Sequence, residues 1–162
     1  MVEEFDFPLE KLEAVLYHDP LWEGVAPVER ARVEFLGDEL MRFEVTDHVQ
    51  ADLVGLVKLP VTFRGSLKFR EVEPGVVEFN ALDCPEVKTF HGRIRYRSLG
   101  PARTKLGVFV DALELDRAFL DKLGGVVKEA TLKVKLRQLF RNFQKLVRSG
   151  QFERIVKERG GS

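Results

Sequence analysis

The chain has 162 residues, 44% hydrophobic and 32% charged, with basic and acidic side chains equal in number. That length suits a single domain with a sizeable core, and the composition is that of a globular protein rather than a disordered or fibrous one. No apolar run approaches the roughly 18 residues needed to cross a bilayer, the acidic start Met1-Val2-Glu3-Glu4-Phe5-Asp6 lacks the basic-then-apolar order of a signal peptide, and one cysteine, Cys84, excludes an intramolecular disulfide; a cytoplasmic setting is the expectation.

Val2, Phe5 and Phe7 mark a first strand. Pro8 suits the first turn of a helix, where its missing N–H would be unpaired anyway. Leu9, Leu12, Val15 and Leu16 then share one helical face. Asp19-Pro20 stops that helix, because proline disfavours helix in the residue before it. Leu21, Trp22 and Val25 form a second short helical segment, closed by Gly24 and Pro27.

Residues 32–36 read as a strand, Gly37-Asp38 as a turn, and Met41, Phe43 and Val45 alternate with Arg42, Glu44 and Thr46 as the return strand of a hairpin. Residues 51–60 are ambiguous, interrupted by Gly55 and Pro60. Val61, Phe63, Gly65, Leu67 and Phe69 then alternate with Thr62, Arg64, Ser66, Lys68 and Arg70, giving a dry and a wet face. After the turn at Glu73-Pro74-Gly75 the same pattern continues through Val77, Phe79 and Ala81. It resumes in Phe90, Gly92, Ile94 and Tyr96, opposite His91, Arg93, Arg95 and Arg97. Beyond the turn at Leu99-Gly100-Pro101, Leu106, Val108, Val110 and Ala112 form the last strand, with Phe109 on its other face. The links are too short for the crossovers that parallel pairing needs. The expected sheet is an antiparallel meander of six or seven strands, strongly twisted.

Residues 116–149 read as one long amphipathic helix with Asp116 as N-cap. Its apolar face runs through Phe119, Leu120, Leu123, Val126, Val127, Ala130 and Val134. It continues in Leu139, Phe140, Phe143, Leu146 and Val147. Such a helix is roughly 50 Å long against about 33 Å for a ten-residue strand, so it overhangs the sheet or bends. Gly124-Gly125 is the expected bend, since each interior glycine costs a helix about 1 kcal/mol. Residues 1–150 are assigned to one domain and 151–162 to a short extra helix or tail.

The neutral total hides an asymmetry: the chain up to Asp116 is net acidic and the remainder equally net basic. Lys133, Lys135, Arg137, Arg141, Lys145 and Arg148 lie on the helix face away from the apolar stripe. That basic face is either solvated or a surface for an anionic membrane or an acidic protein partner.

A lone long helix against a curled sheet leaves room that one helix does not fill. Phe43, Phe63, Phe69, Phe79, Phe90, Tyr96 and Phe109 are candidates to line such a cavity, with Leu123, Val127 and Val134 facing them and Trp22 in a lid formed with Leu21 and Val25. The alternative is that these rings simply pack the core. His18, His48 and His91 lack metal-ligand spacing, and Cys84 has no base placed to activate it. Arg64, Lys68, Arg70, Arg93, Arg95 and Arg97 share outward faces without interleaved aromatics, which argues against a nucleic-acid platform. No catalytic residue, metal site or cofactor is assigned.

The order of elements, with Phe7-Pro8 leading into Val15-Leu16, the Asp19-Pro20-Leu21 breaker and the stretch Leu56-Val57-Lys58-Leu59-Pro60-Val61-Thr62-Phe63-Arg64-Gly65, resembles the START-like (SRPBCC) superfamily. That group includes polyketide cyclases, plant pathogenesis-related ligand carriers and coenzyme Q-binding proteins. The carbon monoxide dehydrogenase G-like branch is the nearest in pattern, beside an uncharacterised bacterial family of the same fold. The resemblance implies the α+β helix-grip fold: an antiparallel six- to seven-stranded sheet wrapped around a long C-terminal helix, with two short helices after the first strand. It also implies binding of a hydrophobic or amphipathic small molecule, lipid- or quinone-like, between sheet and helix. Two other readings stay open. One is a cyclase- or hydrolase-like enzyme drawing on Thr62, Thr89, Thr104, His91 and Tyr96. The other is an interaction module using the basic helix. Binding is favoured over catalysis, and the oligomeric state is not legible.

Overall fold

The alternating segments of the sequence form seven strands of one antiparallel sheet in a computed structural model that describes residues 1–37, 39–51, 57–122 and 129–160. In chain order the elements are β1 (Val2–Phe5), α1 (Leu9–Val15), α2 (Asp19–Val25), β2 (Arg30–Phe35), β3 (Leu40–Ala51), β4 (Val57–Glu73) and β5 (Val76–Leu82). They continue with β6 (Val87–Gly100), β7 (Arg103–Leu115), α3 (Arg117–Lys122), α4 (Glu129–Arg148) and α5 (Gln151–Gly160). The strand order is β1-β7-β6-β5-β4-β3-β2. Strands β2 to β7 are a meander, and β1 closes the series by pairing with the last strand, Val2 opposite Gly107. The sheet curls into a half-barrel.

Two features of β6 and β7 help the sheet curl. The register shifts between His91 and Gly92, and a bulge of this kind bends its strand and increases twist. A Cβ at Gly92 would lie 2.1 Å from the Phe109 carbonyl oxygen and 2.6 Å from the Phe79 ring, so only glycine fits this approach. Gly75, with φ of 80°, takes the left-handed position of the β4–β5 turn.

Several local expectations are corrected. Asp19-Pro20 does not only end α1: it opens α2, where proline in the first turn loses no hydrogen bond. Pro60 does not interrupt a strand but lies inside β4 opposite His48. It is tolerated because β4 pairs with β5 only from Ser66 onward, so the strand has a partner on one side alone there. Of the helix expected over 116–149, α3 (Arg117–Lys122) and α4 (Glu129–Arg148) are helical, and residues 123–128 lie outside the described residues. Asp116 caps the first, its carboxylate accepting the Phe119 N–H at 3.2 Å. The expected bend at Gly124-Gly125 lies outside the described residues.

Helices α1, α2, α4 and α5 lie against the concave face. The apolar stripe of α4 meets β1 and α5 in a ring cluster of Phe5, Phe7, Phe140, Phe143 and Phe152. Phe5 and Phe143 centroids are 4.7 Å apart, as are those of Phe7 and Phe152. Residues 151–160 are thus a helix whose Phe152 and Ile155 belong to the core, and Lys11 of α1 pairs with Glu153 of α5. This cluster packs one end of the concave face solidly.

Candidate functional site

The other end of the concave face is not filled. A cavity of about 310 Å³ lies between the sheet, α2 and α4. Its walls follow the period of two that strands impose: Ala31 and Val33 from β2, Met41, Phe43 and Val45 from β3, and Leu106, Val108 and Val110 from β7. Leu67, Phe69, Phe79 and Phe90 line the middle of the sheet side, and α4 contributes Leu136, Leu139 and Phe143. A run of neighbouring rings crosses this wall, with Trp22–Phe69 at 5.4 Å, Phe69–Phe79 at 6.5 Å and Phe79–Phe90 at 5.3 Å.

Helix α2 forms a third wall through Leu21, Trp22 and Val25, and it is latched to its neighbours. β2 is an edge strand, and two of its N–H groups are taken by carboxylates of α2 rather than left free. Asp19 accepts from Phe35 at 2.8 Å and Glu23 accepts from Val33 at 2.9 Å. The indole N–H of Trp22 donates to the Leu16 carbonyl at 2.6 Å, which leaves only its apolar surface for the cavity. Asn142 of α4 donates to the Val25 and Ala26 carbonyls, satisfying the C-terminal end of α2.

One charged side chain lines this otherwise apolar space. The Lys135 ammonium donates to the Pro27 carbonyl at 2.8 Å and to the Asp47 carboxylate. This corrects the placement of Lys135 on the outer basic face. The signal that places it inward is helical phase: it stands four residues before Leu139 and eight before Phe143, on the stripe that defines the buried side of α4.

Of the candidate cavity residues, Trp22, Phe43, Phe69, Phe79 and Phe90 lie together on the cavity wall. Four do not. Phe63 is half-buried at the far end of β4, its ring edge-to-face with Phe119 at 5.3 Å. Tyr96 lies beyond the cavity, half-buried against the core; burial foremost, then Glu71, Tyr17 and Glu13, push its phenol up to about 12. Phe109 is on the convex face, as the alternation around Val108 and Val110 requires, with the Arg95 guanidinium 5.8 Å above its ring. Val134 is 58% exposed, because the stripe through Leu136, Leu139 and Phe143 turns it outward. Leu123 and Val127 lie outside the described residues, as does the Lys133 side chain. Arg137, Arg141, Lys145 and Arg148 are all exposed on α4.

The polar residues considered for catalysis are dispersed. Thr62 is exposed beside Thr46, and Thr104 is fully buried, its hydroxyl donating to the Phe7 carbonyl at 2.8 Å. Neither these nor Thr89, His91 and Tyr96 line the cavity. Cys84 is buried with its thiol 3.5 Å from the Glu86 carboxylate, and burial first, then Glu86, raises the thiol pKa, the opposite of an activated nucleophile. Among the described residues no His, Cys, Asp and Glu group has a metal-binding arrangement. The convex face carries ion pairs, Arg64–Glu44, Arg70–Glu78 and Arg93–Asp111, which take up much of its positive charge. Arg93 and Arg64 hold the Asp111 and Glu44 carboxyls below their ordinary values through hydrogen bonds. No described helix is long and apolar enough to cross a membrane.

No family model and no curated protein matches the sequence. Solved structures do match, at low identity. A START superfamily protein from Mycobacterium smegmatis is 13% identical, with 92% of this chain and 95% of that one covered and a TM-score of 0.62. The fold is START-like. A conserved protein from Geobacillus kaustophilus shares the START-like fold at 13% identity, with 92% and 93% covered and a TM-score of 0.60. The Zhui aromatase/cyclase from Streptomyces sp. R1128 does so at 19% identity, with 96% and 93% covered and a TM-score of 0.57.

Proposed function

We propose that this protein binds and carries a hydrophobic or amphipathic small molecule, lipid- or quinone-like, in the cavity between the sheet and α4. The observation that supports the reading is the cavity wall itself, apolar throughout its described residues except for Lys135. Its volume is at the lower end of the range for small-molecule sites. A ligand burying about ten methylene groups gains roughly 8 kcal/mol, the size of a micromolar affinity, before the entropic cost of association. The unpaired Cys84 suits a cytoplasmic carrier.

The test is native mass spectrometry of freshly purified protein, followed by solvent extraction of any adduct. A bound amphiphile, or uptake of medium-chain lipids by apo protein, is the expected result. A clean apo mass with no uptake removes the reading. The exposed cations Arg137, Arg141, Lys145 and Arg148 favour an additional role in docking at an anionic membrane. Cosedimentation with phosphatidylserine vesicles at low salt, lost at high salt, is the corresponding result.

A cyclase reading, prompted by the Zhui neighbour, has less support. Acid–base chemistry needs positioned proton donors and acceptors within reach of the ligand. Lys135, engaged by Asp47 and Pro27, is the one polar group of the described cavity wall.

A further inference from the structure

Among its described residues, the cavity wall offers a ligand carbon and almost nothing else. The polar atoms of the side chains that border it are turned elsewhere. The Trp22 indole N–H donates to the Leu16 carbonyl, and Asn142 donates to the Val25 and Ala26 carbonyls. Lys135 lines the space with its methylene stem, while its ammonium is drawn off to the Pro27 carbonyl at 2.8 Å and to Asp47, which is not part of the wall. A hydroxyl or carbonyl oxygen enclosed here would lose its water partners and gain none, and burying an unpaired polar group is costly.

The cavity also has a closed end and an open one. Phe143, part of its wall, belongs as well to the ring cluster with Phe5, Phe7 and Phe152 that packs one end of the concave face. Lys135 stands two helical turns earlier on α4, about 12 Å along the axis, with 38% of its side chain exposed and with Pro27 and Val28 half-buried on the same wall. A polar group of the ligand keeps its hydration only at that end. The volume sets a limit of its own. A methylene group takes up about as much room as a water molecule, roughly 30 Å³, so 310 Å³ accommodates about ten of them.

Resting on the reading of the cavity as a ligand site, we propose that its ligands are single-chain amphiphiles whose polar group is at the chain end: the hydrocarbon chain is enclosed up to about ten carbons, and the polar end stays in water at the Lys135 end. Specificity is then for chain length and for the position of the polar group. Chains substituted in the middle are excluded, and so are quinone rings, whose oxygens on opposite edges cannot both reach water.

The experiment compares the isomers 1-decanol and 5-decanol by fluorescence of Trp22, the only tryptophan, which lines the cavity. 5-Decanol must either bury its hydroxyl unpaired or leave half its chain outside. It is expected to bind about tenfold or more weakly than 1-decanol, the ratio that an unpaired buried hydroxyl gives. A series of 1-alkanols tests the length. Affinity is expected to rise about fourfold per added methylene from 1-hexanol to 1-decanol, and 1-dodecanol and 1-tetradecanol are expected to stay within a few-fold of 1-decanol. 5-Decanol binding as tightly as 1-decanol, or a rise that continues undiminished to 1-tetradecanol, overturns the proposal while leaving the carrier reading intact. If none of these alcohols, nor decane, binds by fluorescence or by native mass spectrometry, the cavity reading itself falls.

Discussion

Tyr96 shows how one inward-facing side chain is legible in one respect and not in another. The alternation with Arg95 and Arg97 places it on the concave side, yet it lies past the cavity, where burial pushes its phenol up to about 12 from the ordinary 10.0. The proton is therefore held more tightly in the folded than in the unfolded chain, so the stability of the native state is intact below pH about 10 and declines as pH rises from there through about 12. Denaturant unfolding of Tyr96→Phe between pH 9 and 12 is expected to lose that part of the decline, and absorbance titration to lose the tyrosine that titrates at about 12. Lys135 makes the converse case. As a residue type it reads as surface, but its spacing from Leu139 and Phe143 places it on the buried stripe. Phe109 reads as core by type, and its strand parity places it outside. In both, periodicity outranks hydrophobicity, because backbone geometry decides which way a side chain points.

The segment around Leu21, Trp22 and Val25 reads in the sequence as a lid over the cavity, and the hydrogen bonds of α2 describe a latched wall. Asp19 and Glu23, one helical turn apart, meet the alternate N–H groups of Phe35 and Val33 on the edge of β2, because a helical turn of 5.4 Å and two strand residues of about 6.6 Å nearly match. Asp19→Ala together with Glu23→Ala is expected to cost about 1–3 kcal/mol, and to speed ligand exchange at Trp22 in stopped-flow fluorescence more than it weakens equilibrium binding. An exchange rate unchanged by the pair would show that α2 does not control access. Strand number, antiparallel pairing and the order of helices are legible from alternation, turns and short connections. The position of α4 is less so: a continuous stripe from Phe119 to Val147 fits the sequence, but the phase observed from Lys135 onward does not continue the one drawn through Val134.

Two groups of phenylalanines serve different ends of the molecule. Phe5, Phe7, Phe140, Phe143 and Phe152 pack together at one end of the half-barrel, and Phe43, Phe69, Phe79 and Phe90 line the open space at the other. Filling that space should stabilise the protein and abolish binding together, the trade-off expected of a site left open for function. Ala31→Phe, on β2 where an aromatic side chain suits a strand, is expected to raise the midpoint of thermal unfolding by a few degrees and to eliminate uptake of medium-chain lipids. A variant that is less stable and still binds would show that the cavity does not extend to this wall. The charge asymmetry of the chain resolves in part within the molecule, since Lys135 reaches Asp47, and in part as the exposed row on α4.

What the amino-acid order determined unaided were the properties that repeat locally: which residues face one side of a strand, which turns reverse the chain, and that the inner face is rich in aromatic side chains. These follow from periods of 2 and 3.6 residues and need no knowledge of distant neighbours. The tertiary structure alone decided that five of the candidate residues share a cavity wall while Phe63, Tyr96, Phe109 and Val134 do not. It also decided that an ion pair between residues far apart in sequence sits at that wall. Those outcomes depend on how strongly the sheet curls and on the rotation of α4 about its axis. Both are set by the packing of many side chains at once, to which no single stretch of sequence corresponds.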